Sequence, residues 1–300
     1  MLYSFKGGND GALALSSLVE LRGAFYGTTP NGGGPGDEGT VYQITAAGHE
    51  AVIYRFAANG DGANPYAGLT PSNGKLYGTT AGGGTYSQGT VFTITTAGKE
   101  RVLYSFGIGN GDGSTPEAGL LDVDGTLYGT TSYGGSHCGS AGCGTVYKVT
   151  PRGAETVIHA FAGGKDGANP QSALVDVKGT LYGTTTAGGS HNAGTVYSVT
   201  PSGTEHVLYS FTNGADGAMP QQLVAVGDML YGTTASGGKE HAGVVFSLTT
   251  RGAQTVLHAF TGGTDGAVPR AGMLDVGATL YGTTSRGGIT NAGTVFSITP

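Results

Sequence analysis

Acidic side chains recur in this chain at regular intervals, each followed by glycine. The carboxylates of these Asp-Gly pairs belong to Asp10, Asp61, Asp112, Asp166, Asp216 and Asp265. An aspartate in such a pair typically forms an Asx turn, in which the carboxylate accepts backbone N–H bonds and the glycine takes a positive φ. The alternative is a set of cation sites, with Asp61, Asp112, Asp166, Asp216 and Asp265 as weak candidates for calcium. A calcium loop needs several oxygen ligands close in sequence, and Asn59-Gly60-Asp61-Gly62 is a poor match, so we expect no cofactor.

A second set of polar and aromatic residues departs from the repeating pattern of the sequence. A structural role shared by all copies of that pattern therefore does not account for these residues. These candidates for ligand binding are Asp37, Glu38, Tyr86, His137, His191, Glu240 and His241. Together they are suited to a polar face with scattered aromatic rings that binds a sugar, and the alternative is ordinary loop variation. His159 and His258 stand where other copies have a strand tyrosine, so packing is their expected role.

The sequence contains no Ser-His-Asp signature, phosphate-binding loop or His-x-x-x-His zinc motif. Pairs such as Asp37 with Glu38, or Glu240 with His241, could supply the acid and base of a glycosidase or lyase. Nothing in the sequence fixes their geometry, so the catalytic residues stay unassigned.

Two cysteines, Cys138 and Cys143, lie five positions apart in a glycine-rich loop. A structural metal site would need about four ligands, and only His137 is near. We therefore predict a local disulfide, which indicates an oxidising compartment.

The elements that position these residues follow from an internal repeat. Leu-Tyr-Gly-Thr-Thr, or a near copy, begins at Phe25, Leu76, Leu127, Leu181, Leu230 and Leu280. Gly-Thr-Val-aromatic, or a near copy, begins at Gly39, Gly89, Gly144, Gly194, Gly243 and Gly293. In one copy the pattern predicts strands over 173–177, 180–185, 194–200 and 205–211, joined by tight turns into a four-stranded antiparallel sheet.

Strands two to four carry apolar residues on both faces, so each sheet must be covered on both sides. Stacking sheets around an axis achieves this in a β-propeller. We predict an all-β, six-bladed β-propeller that forms a single domain over residues 1–300. The chain starts in a fourth strand and ends after a third, so residues 1–5 would complete the sheet of residues 272–299. An open solenoid and a fragment of a larger propeller are the alternatives.

The loops differ between the two ends of each predicted blade. First-to-second and third-to-fourth turns are tight and lie on one face, whereas second-to-third and inter-blade loops are longer and lie on the other. Long loops on a rigid scaffold commonly carry binding sites, so we expect any site on the long-loop face.

Composition excludes some classes of partner. Only 11% of residues are charged and the net charge is −6, so without a basic stripe nucleic acid is not expected. No apolar run reaches membrane-spanning length, and we expect a monomer. Met1 leads straight into Leu-Tyr-Ser-Phe without a signal peptide, so the targeting segment of a secreted protein would have been removed or would lie outside this chain.

The combined motifs resemble a known family over the whole chain. Gly-Thr-Val-Phe-x-Ile-Thr, x-Gly-x-Glu-x-Val-Leu-Tyr-Ser-Phe, Asp-Gly-Ala-x-Pro and Leu-Tyr-Gly-Thr-Thr-x-x-Gly-Gly are similar to the Gloeo/Verruco (GloVer) tandem repeat of bacterial extracellular proteins. The resemblance implies an exported, in some cases surface-anchored protein, and it implies no particular activity.

Three functions remain open from the sequence. The first is a secreted, non-enzymatic propeller that binds glycan or another cell-surface or extracellular ligand. The second is an extracellular carbohydrate-active enzyme, a glycoside hydrolase or polysaccharide lyase, with its site on the same face. The third is a purely structural or adhesive module.

Overall fold

The computed structural model describes residues 1–109 and 111–300, which form an all-β, six-bladed β-propeller. Each blade is an antiparallel sheet whose strands are neighbours in the order of the chain. The described residues contain no α-helix and one 3₁₀ turn, Gly164–Asp166. The predicted fold class is confirmed.

The chain divides into two compact units. Unit 1 comprises residues 1–136 and 144–157, and unit 2 comprises 137–143 and 158–300. The prediction of a single domain is not tested by this division and stays a prediction.

The strands of blade 1 are Val19–Leu21, Ala24–Thr29, Thr40–Ile44 and Glu50–Arg55, those of blade 2 are Thr70–Ser72, Lys75–Thr80, Thr90–Ile94 and Glu100–Ser105, and those of blade 3 are Leu121–Val123, Thr126–Thr131, Thr145–Val149 and Glu155–Ala160. The strands of blade 4 are Val175–Val177, Thr180–Thr185, Thr195–Val199 and Glu205–Ser210, those of blade 5 are Val224–Val226, Met229–Ser236, Val244–Thr249 and Gln254–Ala259, and those of blade 6 are Leu274–Val276, Thr279–Thr284 and Thr294–Ile298.

Blade 4 shows why these residues form strands. Lys178 and Gly179 take positive φ values of 56° and 81° in the tight first turn, as a two-residue hairpin requires. Strand two pairs with strand three in the register Leu181↔Val199 to Thr185↔Thr195. Both strands are almost entirely buried, which matches their β-branched and aromatic composition.

The loop from a fourth strand to the next first strand, here the crossover loop, is itself tied to the following blade. It bridges to the second-to-third loop at Gly11↔Gly32, Ala63↔Gly82, Gly113↔Gly134, Ala168↔Ala187, Ala218↔Ser236 and Ala267↔Arg286. The threonines that end strand two close the same region, and Thr80 Oγ1 lies 2.8 Å from Thr90 Oγ1. These threonines therefore hold the fold, as their strand propensity suggested.

First strands of successive blades lie side by side within each unit, and the fourth strands lie at the outer edge. In unit 1, Thr70 Oγ1 donates to the carbonyl of Leu120 at 2.6 Å, the residue just before the next first strand, Leu121–Val123. The repeated tyrosines of strand two fill the space between blades, and Tyr77 packs there with Leu120, Leu127 and Tyr147. Packing therefore accounts for the rings that are buried.

The end of the sheet array in unit 2 is less covered than its interior. The sixth sheet has three strands among the described residues, and Val295 is 78% exposed whereas the equivalent Val196 and Val245 are fully buried. In unit 1, residues 1–6 are not in a strand, but Phe5 packs edge-on against Tyr42 with ring centroids 4.8 Å apart, as Phe56 does against Phe92. The N-terminal segment thus packs on blade 1 in the way that the end of a fourth strand packs on the blade after it. The pairing of this segment with the last sheet stays a prediction.

Candidate functional site

The long second-to-third loops place most of the sequence-predicted candidates at the surface. His137, His191, Glu240 and His241 are exposed, and Tyr86 is 47% exposed. Among the residues that the structure describes, no hydrogen bond or ion pair joins any two of the candidate side chains. Their binding role therefore remains a prediction.

Asp37 and Glu38 take part in loop structure. Asp37 has φ 58°, and its carboxylate accepts bonds from the Asn31 side chain at 2.9 Å and from the Gly32 N–H. Asn192 binds the Gly188 N–H in the same way at 2.9 Å. The Glu38 carbonyl accepts from the Asn64 N–H at 2.8 Å. The side chain of Asp37 is thus used within its own loop.

The predicted disulfide is confirmed. Cys138 and Cys143 are bonded, with their Cα atoms 5.6 Å apart. The bond closes an enlarged second-to-third loop in the third repeat, where the Cys143 carbonyl accepts a hydrogen bond from the Asn169 N–H at 2.9 Å. It thereby lies against the crossover loop that follows blade 3.

The side chains that do converge belong to the repeat itself. The Asp-Gly carboxylate of each crossover loop binds local backbone N–H groups and the aromatic or imidazole side chain of the preceding fourth strand. Tyr54 donates to Asp61 at 2.8 Å, Tyr104 to Asp112 at 3.1 Å and Tyr209 to Asp216 at 3.0 Å. His159 and His258 form the equivalent pairs with Asp166 and Asp265 at 3.3 and 3.2 Å. The Asx-type turn is therefore present, and no observation tests the calcium alternative.

A glutamate from the next blade completes this group, and it is the residue that sequence reasoning missed. It is the first residue of the following fourth strand: Glu50, Glu100, Glu155 and Glu205, with Gln254 at the fifth such position. We call the tyrosine or histidine, the aspartate and this glutamate a crossover cluster. A signal was present, because the glutamate recurs in the repeat, but a polar residue opening an edge strand is usually solvated.

Burial and neighbouring carboxylates alter the ionisation of these glutamates. Burial, with a smaller contribution from Asp112, raises the pKa of Glu155 to about 7. The same causes, with Asp61 and Asp166 as the neighbouring charges, raise the pKa of Glu100 and of Glu205 to about 7. In each of the four glutamates the Oε1 atom is buried and has no hydrogen-bond partner among the described residues.

One crossover cluster lies in an open pocket of about 290 Å³ within unit 1. Its walls are Tyr104, Asp112, Glu155 and Val157 together with Ile108, Gly109 and Gly111 of the crossover loop. Two carboxyl groups, a phenol and a glycine backbone can bind hydroxyl groups there by hydrogen bonds, and the exposed Ile108 adds an apolar edge.

Blades built on one repeated unit, each preceded by a crossover loop with an Asp-Gly pair, define a repeat propeller. The chain belongs to the Gloeobacter/Verrucomicrobia repeat family, whose model matches residues 1–141 and 136–300. The family resemblance predicted from the motifs is confirmed.

Two solved structures share the overall fold at low sequence identity. The computationally designed protein Ika8 has a TM-score of 0.57 at 13% identity, over 95% of this chain and 70% of that chain. A gluconolactonase from Xanthomonas campestris has a TM-score of 0.53 at 14% identity, over 87% of this chain and 79% of that chain. No curated protein matches the sequence. No helix in the described part of the chain is long and apolar enough to cross a membrane.

Proposed function

We propose that this protein is a secreted, non-enzymatic binding propeller that takes a glycan or another polyhydroxylated extracellular ligand at its crossover clusters. The observation that supports this most is the open pocket of Tyr104, Asp112 and Glu155. Carboxylate oxygens accept hydrogen bonds from sugar hydroxyls. An open pocket suits a segment of a polysaccharide better than a small molecule that must be enclosed. The crossover loop that forms the pocket belongs to the long-loop face.

The disulfide supports a location outside the reducing cytoplasm. The surface of a repeat propeller also suits weak, repeated contacts along a polymer, since several equivalent sites raise overall affinity through effective concentration.

Binding is tested by applying the protein to an array of bacterial and plant oligosaccharides and titrating the strongest hit by calorimetry. We expect Glu155→Gln to weaken binding several-fold without unfolding, because Gln254 already stands at this position in blade 5. Glu240→Gln is the matched control in an exposed loop. Absence of binding to every oligosaccharide on the array would refute glycan binding. A loss of affinity in Glu240→Gln alone would show that the site lies in the second-to-third loops.

An enzyme acting on a sugar derivative is the second candidate, and the ionisation of Glu155 favours it. A carboxyl group whose pKa is about 7 can act as a general acid near neutral pH, with Asp112 beside it as the second carboxylate. The shared fold with a gluconolactonase makes sugar lactones and glycosides suitable first substrates. Turnover that disappears in Glu155→Gln would establish this activity and displace the binding proposal.

A further inference from the structure

Two departures from the repeat meet at the crossover loop after blade 3. The fourth strand of that blade carries His159 where blades 1, 2 and 4 have Tyr54, Tyr104 and Tyr209. The second-to-third loop of the same repeat is the one that carries the cysteines. His159 packs edge-on against Phe161, as Tyr209 packs against Phe211, and its imidazole also brings a ring nitrogen to Asp166 in the crossover loop.

The donor atoms at this place form a compact set. His159, Asp166 and Glu205 each offer one ligand atom, and these atoms all lie within 4.8 Å of one another. Nε2 of His159 is 3.3 Å from Oδ1 of Asp166, whereas ligand atoms around a tetrahedral zinc ion are separated by about 3.3 Å given bonds of about 2.0–2.2 Å. Rotation of the long Glu205 side chain can shorten the remaining separations.

Asp166 is held in position by a backbone contact. Its Oδ2 atom accepts the Ala162 N–H at 2.6 Å, which leaves Oδ1 directed at the imidazole. The carboxylate thus keeps one oxygen on the backbone and presents the other to His159.

Glu205 brings a buried acceptor oxygen to the same place, as Glu50, Glu100 and Glu155 do in the clusters that carry tyrosine. Its Oε1 atom is inaccessible to solvent and accepts no hydrogen bond in the described part of the chain. A buried carboxylate oxygen without a donor costs free energy, and a cation shared with His159 and Asp166 would remove that cost. The two other side chains keep some access to solvent, at 18% for His159 and 21% for Asp166, so an ion can enter.

The disulfide supports the loop that carries Asp166. A Cβ atom placed on Gly163 would lie 3.0 Å from Sγ of Cys138 and 3.1 Å from Sγ of Cys143. The 3₁₀ turn Gly164–Asp166 follows directly, so the disulfide packs beside the segment that positions the carboxylate. Such support restricts the ligands before an ion arrives, as a metal site requires.

We propose that His159, Asp166 and Glu205 form a binding site for a divalent transition-metal ion of the zinc class, with one coordination position left to solvent. One imidazole and two carboxylates are ligands that zinc accepts, and three protein ligands leave the fourth position open. Tyrosine at the same position in the other clusters provides a phenol, which is a poor ligand for this class of ion.

The chain contains a matched control for the metal site. His258 pairs with Asp265 at 3.2 Å, which repeats the first two members of the cluster. The described residues place no glutamate beside this pair. His159→Tyr and His258→Tyr therefore make the same chemical change with and without the third ligand, and both introduce the residue that other repeats already use.

The test is a titration of the metal-free protein with Zn²⁺ in competition with a chromophoric chelator. We expect one tight site in the unaltered protein, weakening by at least about tenfold in His159→Tyr and in Glu205→Gln, and no change in His258→Tyr. Co²⁺ absorption in the visible range checks tetrahedral coordination, and thermal unfolding of each variant checks that it is folded. Absence of a tight site, or a site that survives both ligand substitutions, overturns the proposal independently of any glycan binding.

Discussion

Glu155 is a carboxyl group whose charged form is disfavoured by the folded protein. Burial raises its pKa to about 7, and the nearby Asp112 adds to the effect. Glu100 is in the same condition beside Asp61. Because the folded state binds a proton more tightly than the unfolded state does, these groups stabilise the fold at low pH. That stability is lost as the pH rises from about 4.5 through about 7.

The sign gives a direct prediction for Glu155→Gln. The midpoint of thermal unfolding of the unaltered protein should fall between about pH 5 and about pH 8, and the substitution should remove part of that fall. Allowing for partial exposure, we expect an effect on the order of 1 kcal/mol, or about 2–4 °C in the midpoint. Scanning calorimetry over this range measures it.

Glu38→Gln serves as the control, since Glu38 lies in a loop outside the crossover clusters. Equal slopes of midpoint against pH in the unaltered protein and in Glu155→Gln would contradict the ionisation assigned to Glu155.

For individual residues, the sequence predicted the roles that depend on one repeat, but it did not predict which residues of the next repeat they contact. The local bonds of Asp61 and Asp166 follow from the Asp-Gly pair alone. The proximity of Glu100 to Asp61 joins residues far apart in sequence, and only the stacking of blades creates it. The exposure of His191 and Glu240 also depends on loop conformation, which glycine-rich segments do not encode in their residue types.

Strands two and three of each blade bring a glycine against an aromatic ring. In blade 3, a Cβ atom on Gly129 of strand two would lie 2.5 Å from the hydroxyl oxygen of Tyr147 on strand three. In blade 5, Gly232 faces Phe246 in the same way at 2.6 Å. The glycine of Leu-Tyr-Gly-Thr-Thr is thus required because the paired strand lays its ring across it.

Gly129→Ala should therefore destabilise the fold by about 1–3 kcal/mol, since the ring must move within a packed core. Gly109→Ala is the matched control, because no atom lies within 4 Å of a Cβ at that position. Chemical denaturation measures both variants. Equal stability of the two would show that Tyr147 does not occupy the space above Gly129.

The disulfide between Cys138 and Cys143 is a second feature that stabilises the connections between strands. Replacing both Cys138 and Cys143 with serine should cost about 2 kcal/mol, as expected for a cross-link that closes a short loop. The double substitution should also weaken Zn²⁺ binding at the site proposed at Asp166, because the disulfide no longer packs against the loop that carries this carboxylate. Denaturation and the chelator titration measure the two effects separately, and unchanged stability would contradict the first.

The sequence predicted these elements well. Strands expected at 180–185 and 205–211 are observed at Thr180–Thr185 and Glu205–Ser210, because turn glycines and β-branched runs are local signals. The short pairing of Gly11–Ala12 with Asn31–Gly32 was missed, since neither segment has strand propensity and each is ordered by the other.

Over the whole molecule, the sheets differ in how far their faces are covered. In unit 2, Tyr231 is 8% exposed and its counterpart Tyr281 is 44% exposed, and Val295 of the sixth sheet is largely open to solvent. Side chains that are covered in the other repeats are therefore open to solvent in the sixth sheet.

Val196→Ala should cost about 2 kcal/mol because it leaves a cavity between packed sheets, whereas Val295→Ala should change stability by less than about 0.5 kcal/mol. Urea denaturation of the two variants compares them. A cost for Val295→Ala as large as that for Val196→Ala would show that the sixth sheet is covered in solution.

The crossover cluster takes two side chains from one repeat and the third from the next. Duplication of a single repeat within the gene therefore adds one complete cluster at each new junction without altering the junctions already present. A substitution at one strand position, such as histidine in place of tyrosine at His159, can then change the chemistry of one junction without changing its neighbours. An array built in this way can acquire different specificities one at a time, by changes in copy number followed by single replacements.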